Sequence, residues 1–531
     1  MTLEQIYGYV AIGIWVVVGI FVLIGALKGR SRGIGRQTVR TLTVAGSLVL
    51  SVFLTKLLYR MLMTWLDGKS TEEIIAKIEG FGIKITEGEF GGLIKYFDTQ
   101  TAGYVLAIPL AIVILPIVFV IIFGIINLLS LIVHAILSGI LGFSKRRNNW
   151  FTRLLGAILG AAQGAAVAII CFVPWVGLLT SATEAVDMMN TEEPDAQATV
   201  SITESYDEYL KPLAESMPIT LMDKCGAGIL YDNLSTVVVY DEEYKMVDEV
   251  TTVAVKLYAS CSRLSDMDWQ SLTEDDKKEI SAMLETVDES SYLSITVSRI
   301  LSAAAEAYDD GAYKFTAEGH ANDLLADTVG IFRGMNEDEL IPTLTVVKDV
   351  YFTLSDEQVI TKLSSGNADE LSDIFTSKDE NGKTVVTKVT DTLASNPRTE
   401  PLVGTLSRIS VTVMAESFGG EVTAETYEKV TEGIKDVVSI DKNEYATEEE
   451  YVGAISEKLD NTLLENGITV DKEIVDGMAQ HVADNYSDKN DLTDAEINDI
   501  ILSYYDAYIQ ANGEINPDDI PDNLEDLIPK N

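Results

Sequence analysis

The hydrophobic pattern has two regimes. Over residues 7–27, 42–63, 104–131 and 154–179 apolar side chains run almost unbroken, whereas after Thr180 they recur three and four positions apart among acids. Each run holds at least 21 residues, and at about 1.5 Å per residue a helix of that length crosses a hydrocarbon core of about 30 Å. The pattern therefore predicts four membrane-spanning helices. A cleaved signal peptide is the other expectation for the first run. Against it, Glu4 stands where a basic n-region belongs, and Lys28-Gly29-Arg30 follows without a small-residue cleavage site. Pro109 and Pro116 are expected to kink the third span.

Beyond the spans the periodicity is helical. A Ser or Thr with an acid three residues on, each side chain capping the other's amide, recurs at Thr273/Asp276, Thr447/Glu450 and Thr493/Glu496. Thr316, Ser355 and Thr423 open similar stretches less completely. Apolar residues follow at helical spacing, as in Val247, Val250, Leu257 and Leu264 or Ile455, Leu459 and Leu463. Strand alternation is confined to 236–240 and 384–386. The expected fold class is all-α: a four-helix transmembrane bundle over 1–180, then a large, mainly helical acidic region with minor β additions. The openings at 273, 316 and 355 invite a solenoid, but later spacings drift and no consensus recurs. Residues 181–200 read as an acidic stalk. Helical lobes are expected at 201–378 and 384–513, joined at the turn-rich Lys378-Asp-Glu-Asn-Gly-Lys383, with a Pro-containing acidic tail at 514–531.

Charge follows the same division. Residues 1–180 hold 15 Lys and Arg against 8 Asp and Glu, a balance of +7, so the remainder carries −50 of the chain's net −43. The loop after the first span carries Lys28, Arg30, Arg32, Arg36 and Arg40, and the loop before the fourth carries Lys145, Arg146, Arg147 and Arg153. Short loops rich in arginine stay in the cytoplasm. The N-terminus and the acidic region are then expected to be extracytoplasmic. A balance of −50 also argues against nucleic acid, which needs a basic footprint.

The arginine loops carry a resemblance. Gly29-x-x-Arg32-Gly33-x-x-Arg36 after the first span, then Arg153-Leu-Leu-Gly156-x-x-x-Gly160-x-x-x-Gly164 opening the fourth, resemble the two signatures of the CvpA (colicin V production protein) family. The resemblance covers about residues 1–180. Thr152 and Gln163 stand where the family often has Asp and a basic residue. It implies a multi-pass bacterial cytoplasmic-membrane module linked to toxin production, with no catalytic chemistry attached.

Read as residues, Gly156, Gly160 and Gly164 line one helix face and admit a close neighbour, either inside the bundle or in a homo-oligomer through the fourth span. The arginines suit anionic headgroups of the lipid bilayer. Lys56 and Arg60 share a face of the second span near its outer end and are expected to snorkel, while Asn127 and His134 are the intramembrane polar candidates of the third. Cys171 falls within the fourth span; Cys225 and Cys261 lie outside, where a disulfide between them is one expectation. The acids suit a solvated surface, weak divalent-cation binding or a basic partner. The stretch 484–496 lacks the glycine and ligand alternation of an EF-hand and reads as a helix-loop-helix corner.

No nucleophile elbow, P-loop or zincin motif occurs, and His320 and His481 have no second ligand at metal spacing. No catalytic residue, metal or cofactor is expected. The leading functional expectation is a non-enzymatic membrane anchor for an extracytoplasmic interaction domain with a protein partner, serving toxin secretion or envelope homeostasis. The alternative is a transporter or channel component with an acidic regulatory cap, and it would call for intramembrane acids or broken helices.

Overall fold

The computed structural model describes residues 3–67, 69–80, 91–140, 149–192, 197–251, 255–256, 267–268, 271–312, 320–359, 362, 377, 379, 382–406, 424–487, 489 and 491–512. The chain divides into two compact units, Met1–Asp266 with Glu285–Ile300, and Met267–Leu284 with Leu301–Asn531.

The first unit is built on three helices long and apolar enough to cross a membrane, not four. Helix α1 (Leu3–Asp67) absorbs the first two predicted spans and the loop expected between them. Its helical dihedrals break only at Gly33, with φ 69 and ψ 170, a conformation that glycine adopts at no steric cost. After the short helices α2 (Thr71–Gly80) and α3 (Gly91–Ile94), α4 (Thr99–Pro109) passes through a π-helical turn at Leu110–Ile114 into α5 (Leu115–Ile140). The two prolines of this element, Pro109 and Pro116, bracket that π-turn. Helix α6 (Trp150–Glu192) runs straight through the expected boundary at 180.

The residues after α6 also return to the apolar helices. Helices α7 (Gln197–Tyr209), α8 (Lys211–Ala214), α9 (Met217–Lys224) and α10 (Ala227–Ser235) precede an antiparallel hairpin of β1 (Thr236–Val239) and β2 (Glu242–Lys245). Ile219, Met222, Tyr231 and Leu234 share one buried cluster with Phe119, Phe123, Val173 and Val176. The expected stalk and the start of the expected first lobe are thus structural parts of the bundle unit, because their apolar faces complete its core.

Two of these contacts explain local sequence. Pro116 has no N–H to offer Ile112 four residues back, and the Tyr231 hydroxyl donates to the Ile112 carbonyl at 2.8 Å instead. A Cβ at Gly177 would overlap the Tyr231 ring, so glycine opens that space. Tyr240 sits at φ 54 in the two-residue β1–β2 turn, and its hydroxyl donates to the Thr99 carbonyl at 3.1 Å, over Gly103.

The second unit has its own cores. Helices α11 (Glu274–Glu289) and α12 (Ser291–Asp309) run from one unit's residues into the other's in sequence; α13 (His320–Gly330), α14 (Glu337–Asp356), α15 (Val385–Ala394), α16 (Ala424–Val438), α17 (Glu448–Glu465), α18 (Lys472–Tyr486) and α19 (Asp494–Asn512) follow. Val430, Ile434, Ile455, Leu459, Val475, Met478, Ile497 and Ile501 pack α16 to α19 together. A second cluster joins Ile331 and Val346 to Val389, Leu393 and Val403. That cluster spans the joint expected at 378–383, so the two expected lobes do not part there. Asp379 and Glu357 both pair with Lys388, at 3.3 and 2.9 Å.

Two of the three expected capping boxes form in full, and at the third Thr447 caps its helix without the return bond. Asp276 and Glu496 accept from the amides of Thr273 and Thr493, at 2.8 and 2.9 Å, and both threonines return the bond; Glu450 accepts instead from Ala446. Ser355 ends α14 rather than opening a helix, and its hydroxyl accepts from the Leu272 amide at 2.7 Å. Thr384 caps α15, so the strand expected at 384–386 is the first turn of a helix. Thr316, Thr423 and the tail 514–531 lie outside the described residues.

Candidate functional site

The glycine stripe finds its partner within the chain. A Cβ at Gly160 would overlap the Gly25 carbonyl, one at Gly156 the Gly29 carbonyl, and one at Gly164 the Phe21 carbonyl. The first half of α1 therefore runs antiparallel to α6 with backbones in contact, as small residues four apart allow. The predicted set Gly29, Gly156, Gly160 and Gly164 is brought together, and Gly25, unmarked by the motif, completes it. This face of the fourth span is filled by the first.

The second half of α1 runs the other way. Gln37 Nε2 donates to Gln163 Oε1 at 2.6 Å, and Thr41 reaches the same oxygen at 3.4 Å. Gln163 lies seven residues beyond Gly156 along α6, whereas a straight α1 would carry Gln37 back past Gly156. The chain thus folds back at Gly33, whose φ of 69 is a conformation that favours glycine.

Just past that turn lies a buried polar cluster. Arg40 is 5% exposed; its guanidinium donates to Asn127 Oδ1 at 2.6 Å, to the Asn127 carbonyl at 3.2 Å and to Ser130 Oγ at 2.5 Å. Arg32 extends to Gln37 Oε1 at 3.5 Å. His134 is buried one turn further along α5, with Ser138 Oγ 3.4 Å from its Nδ1. Among the described residues Arg40 forms no ion pair with a carboxylate: its three acceptors are neutral. A buried cation held by neutral oxygens is a fixed positive charge in low dielectric, able to attract an anion or to hold helices in register.

Of the remaining predicted residues, Arg36 is half-buried, Arg153 is exposed, Lys56 is half-buried and Arg60 is exposed. Cys225 is exposed, and Cys261 lies outside the described residues, so their pairing is not placed. Arg40 was counted in sequence only as one loop arginine. Its helical spacing from Arg32 and Arg36 was visible, but its partner Asn127 stands 87 positions away.

The acidic unit holds two further polar groupings. Asp499 accepts from Tyr486 at 2.5 Å and Thr387 at 3.2 Å and bonds His481 Nε2 at 2.7 Å. Burial pushes the Asp499 carboxyl up, but the bonds from His481 and Tyr486, the His481 charge and the Thr387 hydroxyl together hold it below its ordinary value. Asn485 Nδ2 lies 3.3 Å from the other ring nitrogen of His481, so both faces of the imidazole are occupied and the grouping braces α18 against α19. An open groove of about 850 Å³ lies between α17 and α18, lined by Glu448, Glu449, Glu457, Asp460, Asp476 and Lys472 among others. Among the described residues no cluster of His, Cys, Asp and Glu is arranged to hold a metal ion. No known family matches the sequence, and neither a curated protein nor a solved structure does.

Proposed function

We propose that the chain is a non-enzymatic membrane anchor. Its apolar helices cross the bilayer as four segments, the first two joined by the Gly33 reversal, and they carry the acidic helical unit as an extracytoplasmic interaction module. The observation that carries this reading is the seam between α1 and α6: Gly25 and Gly29 meet Gly156 and Gly160 backbone to backbone, a contact built for permanent packing. The arginine-rich ends at 28–40 and 145–153 support a cytoplasmic placement for that side. The likeness of residues 1–180 to the CvpA module supports a bacterial envelope role, in toxin export or envelope homeostasis. The groove between α17 and α18 suits a basic segment of a partner protein.

A transport role is the second reading, favoured by the uncompensated charge of Arg40 and the π-turn in the third span. The two readings separate in cells and in vesicles. Photo-crosslinkers at Gln480 in the groove of the full-length protein should trap one reproducible extracytoplasmic partner. Absence of any crosslink, together with an anion flux through reconstituted protein that Arg40→Met abolishes, would overturn the anchor in favour of transport.

A further inference from the structure

Beyond Glu192, large apolar side chains exposed on the described surface are unevenly placed. Seven occur, and six of them, Val200, Tyr209, Leu210, Met217, Leu221 and Ile229, fall on α7 to α10; the other is Leu464. Ile229 is 77% exposed and Met217 69%, more than most side chains of the spans themselves. Water-facing surfaces rarely gather such residues without an occupant.

The opposite faces of the same helices fix their depth. Tyr231 of α10 reaches the Ile112 carbonyl, and Ile112 lies fifteen residues before Asn127, which holds Arg40. At about 1.5 Å per residue the Tyr231 contact is about 22 Å from the arginine level along the third span. With a hydrocarbon core of about 30 Å whose inner edge lies at Arg40, that contact is inside the outer leaflet, close to its boundary. Trp175, 64% exposed on α6 two residues before the Gly177 that receives Tyr231, marks the same level, where amphipathic aromatic rings concentrate. The exposed side chains of α9 and α10 therefore stand at the depth of the apolar belt of the spans. Lys211, paired with Asp207 at 2.8 Å, and Lys224 supply polar ends of the kind that reach headgroups.

We infer that α7 to α10 form a collar embedded in the outer leaflet, with Met217, Leu221 and Ile229 in contact with lipid acyl chains. The inference rests on the membrane reading above. The collar clamps the bundle from the lipid side, through Tyr231, and keeps the start of the acidic region at the bilayer surface.

The test uses full-length protein in vesicles, with Cys171, Cys225 and Cys261 replaced by Ala and one bimane-labelled cysteine introduced at a time. Ile229→Cys reports the collar, Ile125→Cys an exposed position on the third span, and Leu464→Cys the acidic unit; Met217→Cys repeats the collar measurement should labelling at 229 disturb folding. Chain-brominated phosphatidylcholine should quench positions 229 and 125 by about twofold or more and leave 464 unchanged, while aqueous iodide should do the reverse. If 229 and 217 behave like 464 while 125 is quenched by lipid, the collar is refuted and the membrane reading stands. If 125 also escapes the brominated chains, the membrane reading falls and the collar with it.

Discussion

The Tyr231 hydroxyl offers a prediction whose size follows from one atom. Tyr231→Phe keeps the ring in the space opened by Gly177, so no cavity forms, and removes only the donor to the Ile112 carbonyl. That carbonyl has no α-helical partner because residue 116 is proline. An unpaired buried acceptor costs about 1–3 kcal/mol in soluble proteins, whereas interhelical hydrogen bonds in membranes average about 0.6 kcal/mol and reach about 1.7. The expected loss is about 1 kcal/mol, or about fivefold in the unfolding equilibrium. In a Pro116→Ala background the restored amide lets the π-turn, in which Leu115 bonds Leu110, relax to the α-helical register that reaches Ile112, and the same substitution should then cost about 0.3 kcal/mol or less. The assay is equilibrium unfolding of the four full-length proteins of this cycle in mixed micelles, followed by circular dichroism. Equal losses in both backgrounds would refute the link between the proline and the tyrosine.

Three further outcomes follow from the same contacts. Gly160→Val should prevent α1 from closing on α6 and abolish a folded, monodisperse protein in detergent, whereas Gly124→Val, where a Cβ meets nothing within 4 Å, should leave size-exclusion behaviour unchanged. Asn127→Leu strips Arg40 of its shortest amide oxygen contact and should cost about 1.5–3 kcal/mol by thermal unfolding; adding Arg40→Met should recover part of it, because the unpaired charge is then gone. Asp499 binds its proton less tightly folded than unfolded, so the stability it contributes is complete above its ordinary value of about 3.9 and drains away as pH falls through the lower folded value. Asp499→Asn should accordingly weaken hydrogen-exchange protection of α18 and α19 at pH 7, and the difference from wild type should shrink as the pH is lowered below about 4.

Signals confined to a few neighbouring residues were legible in the sequence. The apolar runs reappear as helices, the first two merged in one, as do the capping boxes at Thr273 and Thr493, the N-cap at Thr447 and the strand at 236–239, because each rests on contiguous composition or on side chains within one helical turn or one hairpin. Features set by distant pairings were not. Gly33 looked like one residue of a loop, yet it is a one-residue reversal, since helix propensity on both sides leaves no other break. Residues 201–245 read as water-facing by charge; the alternation of Ile219, Met222, Tyr231 and Leu234 with acids hid a face that closes the bundle. Ser355 carried the composition of a cap, but the donor it serves is Leu272, 83 positions earlier. At the candidate site, Asn127 and His134 were visible as polar residues in apolar surroundings, and Arg32 as a loop arginine. The central role of Arg40 depended on where α5 runs beside α1.

The most direct measurement is side-specific labelling of single cysteines in intact cells with a membrane-impermeant maleimide, in the Cys171, Cys225 and Cys261 to Ala background. Ser31 is exposed at the arginine end of α1, and Ser439 is exposed in the acidic unit. Ser439→Cys should label from outside and Ser31→Cys only after the membrane is permeabilised. Labelling of both from the same side, or of Ser31→Cys alone, would contradict an anchor that presents the acidic unit beyond the membrane.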